Sequence, residues 1–177
     1  MNRKDFLKTS VLGTATIAAI PTKVWATTPN EPLKPKIVRK EDGQKVNVIG
    51  DQQTFKLTGE DTAGKFTLIE EVNPPGTMIP PHVHTKEDEI FKVLEGKLEV
   101  TVGETTTILE AGDLAFAPKN IPHSWKVVGD TDCKTILSAF PAGIELMFAE
   151  LGQLPPGKPD FQKAVAICKN YGIHFLG

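Results

Sequence analysis

The sequence predicts a mainly β domain that ends in two short helices. Fifteen glycines and fourteen prolines among 177 residues favour a turn-rich architecture over a helical bundle. Between residues 37 and 140, turn residues divide the chain into nine or ten short runs, several of which alternate apolar and polar side chains. After Pro141 the apolar spacing becomes three and four residues, which is typical of a helix.

The first 26 residues have the pattern of an export signal. Arg3, Lys4 and Lys8 form a short basic segment, and an apolar stretch over residues 10–20 follows it. This stretch is too short to cross a bilayer, which takes about 20 apolar residues. Val24-Trp25-Ala26 has small residues at the positions that a signal peptidase reads, which favours cleavage after Ala26. We therefore expect a periplasmic or secreted protein with no stable membrane anchor after cleavage.

The sequence does not distinguish between two export routes. Residues 2–8 resemble a twin-arginine signal, but Lys4 stands where that signal has its second arginine, so Tat and ordinary Sec export are both compatible with the sequence. Residues 27–36, with prolines at 29, 32 and 35, are predicted to be an extended linker or arm. The folded domain is then expected over residues 37–177.

The charge of the mature chain argues against one class of partner. The whole chain has 20 basic and 22 acidic residues, and the first 26 residues hold four of the basic and one of the acidic side chains. The remainder has 16 basic and 21 acidic residues, a formal net charge of −5. Because nucleic-acid binding requires a basic face, we expect no nucleic-acid partner.

The two cysteines leave two interpretations open. Cys133 lies in a strand-like run and Cys168 in a helix-like run. They could pair in an oxidising compartment, or both could be buried free thiols. Neither has a histidine within two positions, which argues against a nucleophilic role.

The predicted strands are separated by turn residues, and the last of them precedes two helical segments. Besides the run that begins at Glu89, the strand-like runs are 37–39, 45–49, 54–58, 65–72, 98–102, 105–109, 114–117, 121–128 and 133–140. Turns are expected at 41–43 and 59–61. Gly103-Glu104 predicts a hairpin.

The two helices are predicted from apolar faces. One face is formed by Ile144, Met147, Phe148 and Leu151, with Gly152 as the C-cap, and the other by Phe161, Ala164, Val165 and Cys168, with Gly172 at its end. We expect both faces to pack on the β domain rather than to form a mobile lid. Residues 173–176 are expected to be an apolar tail, which includes His174.

Residues 76–96 contain three potential metal ligands. His82 and His84 are two positions apart, so on an extended backbone both imidazoles leave the same face, with Cα atoms about 6.6 Å apart. Glu89 opens the next alternating run. Glu87 shares its parity and is the rival ligand, although residues 86–88 are otherwise expected to be a solvated turn.

A fourth potential ligand follows later in the chain. His123 lies 34 positions after Glu89, on a strand-like run with Trp125, and several hairpins between them allow it to fold back. Three imidazoles and one carboxylate suit one divalent transition metal ion, without distinguishing Fe, Mn, Co, Ni, Cu and Zn. A structural zinc site would more often use cysteines at short spacing.

These residues resemble the cupin family. The first cupin motif, G-x5-H-x-H-x4-E-x6-G, is matched in full by Gly76, His82, His84, Glu89 and Gly96. This spacing selects Glu89 over Glu87.

The second cupin motif, G-x5-P-x-G-x2-H-x3-N, is matched in part. Gly112, Pro118 and His123 agree, whereas Asn120 replaces the second glycine and Val127 replaces the asparagine. Neither replaced position is a metal ligand in the family. Val127 puts the family's usual polar contact at that position in doubt.

The resemblance implies a fold and a site. It covers residues 54–140 and implies a single double-stranded β-helix, or jelly-roll barrel, with His82, His84, Glu89 and His123 on one metal ion. Barrels of this family often pair, so a homodimer is expected. Phe91 and Trp125 share parity with ligands on their strands, so they either line the substrate pocket or are plain barrel core.

The resemblance also implies an activity. The C-terminal residues are similar to those of small quercetin dioxygenase-like cupins, which implies a metal-dependent dioxygenase acting on a flavonol or another small enol-bearing molecule, with Glu89 as a catalytic base. The alternative is a periplasmic cupin that holds a metal and a small ligand without turnover. A metal-dependent isomerase or decarboxylase is a third, weaker interpretation.

Overall fold

The computed structural model describes residues 32–155 and 160–176. Its strands and helices, in chain order, are β1 (Gln44–Val48), β2 (Asp51–Leu57), α1 (Gly59–Thr62), β3 (Thr67–Asn73), β4 (Met78–His84), β5 (Asp88–Glu95), β6 (Lys97–Val102), β7 (Thr105–Glu110), β8 (Leu114–Ala117), β9 (His123–Val128), β10 (Cys133–Phe140), α2 (Ile144–Leu151), α3 (Phe161–Tyr171) and β11 (Ile173–Phe175). The predicted export signal lies outside the described residues. So does the first half of the predicted arm, and residues 32–36 of that arm have no regular structure.

Two antiparallel sheets face each other as a jelly roll. The six-stranded sheet has the order β1-β2-β3-β10-β5-β8, and the five-stranded sheet has the order β11-β4-β9-β6-β7. Strands that are neighbours in space are often far apart in sequence; β10, for example, lies between β3 and β5. This confirms the predicted mainly β fold.

The strands form because their side chains alternate between the interior and the outer face. Along β3 and β10 every second residue is buried, and the residues between are partly buried, except for Phe140 at the end of β10, which is exposed. The inward positions of β10 are Cys133, Thr135, Leu137 and Ala139. Such alternation places one face of each strand in the core between the sheets.

Two local predictions were wrong. Residues 37–39 do not form a strand, and the Ile37 side chain is 87% exposed, because this segment has no strand partner in the described part of the chain. The turn expected at residues 59–61 is the one-turn helix α1, in which Asp61 accepts a hydrogen bond from the Thr58 backbone N–H at 3.0 Å.

The C-terminal segment matches the prediction in its helices and differs in its tail. The bounds of α2 agree, and α3 ends before Gly172, which has a left-handed φ of 91°. The predicted tail is instead strand β11, which pairs with β4 from Ile173 opposite His84 to Phe175 opposite His82. The backbone of the tail therefore completes the sheet edge beside the histidines. No described helix is long and apolar enough to cross a membrane.

Both cysteines are buried free thiols in the structure. Burial raises the pKa of Cys133 to about 11, with a further contribution from Glu71, and burial raises the pKa of Cys168 to about 11. The structure therefore agrees with the unpaired interpretation, and a thiol kept neutral is a poor nucleophile.

Candidate metal centre

Four side chains from three strands converge inside the barrel. His82 and His84 come from β4, Glu89 from β5 and His123 from β9. The β4–β9 register sets His82 directly opposite His123, and the two-residue spacing on β4 places His84 on the same face. All four residues are buried, with 5% or less of their surface exposed. The structure thus brings together all four residues predicted as ligands.

The potential ligand atoms are close enough to share one ion. One nitrogen or oxygen atom from each of the four residues lies within 4.8 Å of the others. The Nε2 atom of His123 is 3.1 Å from Oε2 of Glu89, and Nδ1 of His84 is 3.7 Å from Oε1 of the same carboxylate. The ring centroids of His82 and His123 are 4.3 Å apart.

Backbone carbonyls orient two of the imidazoles. The Nδ1 atom of His82 lies 2.9 Å from the Pro80 carbonyl oxygen, and Nδ1 of His123 lies 3.1 Å from the Ile121 carbonyl oxygen. In a metal-bound state, an Nδ1–H that donates to a carbonyl leaves the Nε2 lone pair for the ion, which is the usual arrangement for a metal-binding histidine.

The charges in the cluster are arranged around Glu89. Burial lowers the pKa of His82 to about 4, and His123 adds to this effect, so His82 is a neutral imidazole at neutral pH. Burial opposes the charge of His123, but its hydrogen bond to Glu89 raises its pKa overall. Burial alone would raise the pKa of Glu89, but the nearby His84 and the bond from His123 lower it. The carboxylate is therefore held ionised, as a ligand must be.

The residues present fit a divalent transition metal ion. Three imidazoles and one carboxylate form a mixed nitrogen and oxygen donor set of the kind that such ions bind. Among the described residues, the buried Nδ1 of His84 has no hydrogen-bond partner, which is costly unless a further group satisfies it.

Glu87 differs from the expectation for a solvated turn. Its side chain is buried, with Oε2 3.8 Å from Nδ1 of His84, and burial raises its pKa to about 7, with a further contribution from Glu89. Lys86 beside it is exposed and Asp88 is partly buried. Glu87 is therefore buried beside His84, but it remains outside the group of converging ligand atoms.

A cavity of about 680 Å³ is lined by three of the four residues, His82, His84 and Glu89. Phe91 and Trp125 line it and are also buried in the core, so the two interpretations of these residues do not exclude each other. The apolar faces of α2 and α3 form much of the opposite wall. The Phe175 ring of β11 lies 5.6 Å from the His82 ring. The helices pack on the barrel and at the same time shape the cavity.

Sequence reasoning missed a second polar group in the same cavity. Asp51, Gln53 and Glu71 line it and are buried on the inner face of β2 and β3. The signal was present, since Asp51 and Gln53 share the period-two parity of Phe55, and Glu71 shares that of Ile69. Because these side chains are polar, the sequence did not suggest that they face the interior of the barrel.

Comparison with known proteins agrees with this fold. Residues 69–139 match the model of the cupin domain, and this segment contains all four converging residues. Residues 69–139 therefore form a cupin domain. In fold, this cupin is similar to KdgF from Halomonas sp., with a TM-score of 0.56 and 20% identity over 63% of this chain and 99% of that one.

Two curated relatives show how far the likeness extends. The cupin is 30% identical over 93 residues to quercetin 2,3-dioxygenase of Bacillus subtilis, which covers 52% of this chain and 28% of that protein. It is 30% identical over 122 residues to germin-like protein 5-1 of Oryza sativa, which covers 64% of this chain and 54% of that protein. The matches thus span about half or less of these relatives.

Proposed function

We propose that this cupin is a metal-dependent dioxygenase that acts on a flavonol or another small enol-bearing molecule. The observation that carries the proposal is that His82, His84 and Glu89, three of the four clustered ligands, line a large, mostly apolar cavity. The likeness to a quercetin 2,3-dioxygenase supports the same reaction class.

The cavity suits a flat, apolar molecule with a polar edge. Phe91 and Trp125 line it near the cluster, and Met147 and Phe148 of α2 line it from the helical side. Aromatic and aliphatic walls of this kind bind planar rings and exclude water from the reacting end. The enol oxygen of such a molecule is its polar, metal-binding atom, so we expect this oxygen to point toward the four ligands.

Glu89 is the residue proposed to handle the proton. A bound transition metal ion supplies Lewis acidity, which lowers the pKa of an enol hydroxyl. The Glu89 carboxylate is held ionised beside His123, so Oε2 can accept the enol proton while His123 stabilises the position of that carboxylate. His82, neutral and fixed by the Pro80 carbonyl, keeps one wall of the site rigid.

The test is oxygen uptake with a defined substrate. Protein loaded separately with each of the six candidate metals is incubated with quercetin, and dioxygen consumption is followed with an electrode. We expect substrate-dependent uptake with at least one metal, and a loss of about 10²-fold or more in Glu89→Gln. Glu95→Gln, on the exposed end of the same strand, is the matched control and should retain the activity.

Two results would contradict the proposal. One is the absence of uptake with every metal and with a panel of further flavonols. The other is tight flavonol binding without dioxygen consumption, which would favour a cupin that binds its ligand without turnover.

A further inference from the structure

A buried polar cluster lies on β2 and β3. It shares no residue with the candidate metal centre of His82, His84, Glu89 and His123. It consists of Asp51, Gln53, Glu71 and Asn73, and we call it the β2–β3 cluster. Gln53 and Glu71 are register partners, and Asp51 and Asn73 are the next inward-facing residues of their strands. No member is more than 5% exposed. Four polar side chains thus form a square on one inner sheet face.

The head groups of this square converge. Nε2 of Gln53 donates to Oδ2 of Asp51 at 2.7 Å and lies 3.3 Å from Oε1 of Glu71. The Thr135 hydroxyl donates to Oε2 of Glu71 at 3.0 Å. One amide group therefore sits between two carboxyl groups.

Three oxygens of the cluster have no hydrogen-bond partner. In the described part of the chain, Oδ1 of Asp51, Oε1 of Gln53 and Oδ1 of Asn73 are buried and unpartnered. Leaving one buried polar atom unsatisfied is costly, so three such oxygens on one inner sheet face call for partners. All three are acceptors, so the partners must be donors or a cation.

The cluster also lacks a counter-charge. No salt bridge among the described residues involves Asp51 or Glu71. Two lysines of the neighbouring strands are engaged elsewhere. Nζ of Lys56 donates to the backbone carbonyls of Lys40 and Asp42, and Lys134 pairs with Glu70 at 3.0 Å. Buried carboxyl groups without a cation are expensive to ionise.

We propose that the β2–β3 cluster is a second cation site, which binds one Ca²⁺ ion through side-chain oxygens of its four members. The ligands would be the carboxylates of Asp51 and Glu71 and the amide oxygens of Gln53 and Asn73, once the Gln53 amide turns its oxygen toward the ion. The inference does not rest on the proposed dioxygenase activity.

The donor set selects the ion. Oxygen-only sites suit hard cations, whereas the imidazoles of the other centre suit transition metals. Ca²⁺ accepts carboxylate and carbonyl oxygens in flexible geometry, whereas Mg²⁺ demands near-ideal octahedral geometry and is usually bound through one or two carboxylates and several waters. Asp51, Gln53 and Glu71 line the cavity, which gives the ion a path from solvent.

Calorimetric titration of the chelator-treated full chain with CaCl₂ tests the proposal. We expect one Ca²⁺ per chain in the wild type, and an affinity lower by about tenfold or more in Asp51→Asn and in Glu71→Gln, which remove one ligand charge each. Glu70→Gln is the matched control, since Glu70 precedes Glu71 but pairs with Lys134 outside the cluster. Loading one equivalent of Zn²⁺ first should leave the Ca²⁺ uptake unchanged.

Three outcomes would overturn the proposal. The first is a wild type that takes up no Ca²⁺, which would mean that water and shared protons satisfy the cluster. The second is an affinity in both cluster variants equal to that of the wild type. The third is uptake that Zn²⁺ blocks, which would place Ca²⁺ at the candidate metal centre formed by His82, His84, Glu89 and His123. Circular dichroism checks the fold of each variant, and Asp51→Asn decides the question if Glu71→Gln does not fold.

Discussion

The Nε2 atom of His123 lies 3.1 Å from Oε2 of Glu89, although 34 positions separate the two residues. His123 belongs to the five-stranded sheet and Glu89 to the six-stranded sheet, so this contact crosses the interior of the barrel. An ion held by both residues, and by His82 and His84, would therefore fasten one sheet to the other.

Metal binding should accordingly stabilise the fold. A metal that binds the native state alone adds about 2.7 kcal/mol to the free energy of unfolding at one hundred times its dissociation constant. We expect chelator-treated protein to gain about this much when Zn²⁺ or Mn²⁺ is added, measured by thermal or denaturant unfolding. Glu89→Gln should lose most of the gain. An equal gain in Glu89→Gln and the wild type would contradict this bridging role.

The two glycines that flank the ligand stretch should differ in their tolerance of alanine. Gly76 and Gly96 both have left-handed backbones, with φ of 83° and 79°. A Cβ at position 96 would meet the Asp132 carbonyl oxygen at 2.5 Å, whereas a Cβ at position 76 has nothing within 4 Å. We expect Gly76→Ala to cost about 1 kcal/mol from backbone strain, and Gly96→Ala to cost clearly more.

Denaturant unfolding of the two glycine variants checks this expectation. Gly76→Ala serves as the control for the positive φ alone, so the difference between the variants measures the steric contact. Equal losses of stability would mean that the loop at Asp132 moves aside without cost.

Glu71 should make the stability of the calcium-free protein depend on pH. Burial, reinforced by Asp51, raises the pKa of Glu71 well above its ordinary value of 4.5. The folded state therefore binds the proton of the Glu71 carboxyl group more tightly than the unfolded state does. The resulting stabilisation is complete below about pH 4.5 and is lost as the pH rises toward the pKa of the folded state. The slope reaches about 1.4 kcal/mol per pH unit.

Unfolding measured in chelator across this pH range isolates the effect of Glu71. We expect the wild type to lose stability relative to Glu71→Gln as pH rises, while Glu70→Gln follows the wild type. A difference between wild type and Glu71→Gln that does not change with pH would show that Glu71 does not hold the proton in the folded chain.

Much of the fold could be predicted from the sequence because local patterns were strong. The alternation of Cys133–Phe140 and the helical spacing of Ile144–Leu151 gave those elements the bounds that the structure has. The tail at Ile173–Phe175 was not predicted as a strand, because three residues carry too little periodicity. Only the tertiary pairing with β4 makes it one.

The part of the candidate site that could be predicted is the part that the spacing of residues along the sequence determines. The His82 and His84 spacing placed two imidazoles on one face, and the cupin motif added Glu89 and His123. Spacing could not show that Glu87 is buried beside His84, since that follows from the surrounding barrel. It also could not show the β2–β3 cluster, because a polar side chain on an alternating strand is ordinarily expected to face solvent.

Elemental analysis of the purified protein tests the central claim most directly. After incubation with each candidate transition metal and extensive dialysis, we expect about one ion per chain in the wild type and in His174→Ala, since His174 is exposed and lies outside the cluster. His82→Ala, His84→Ala and His123→Ala should each lose most of the metal. Wild-type protein that retains none of the metals, or His123→Ala that retains a full equivalent, would contradict the account of a metal centre built from these four residues.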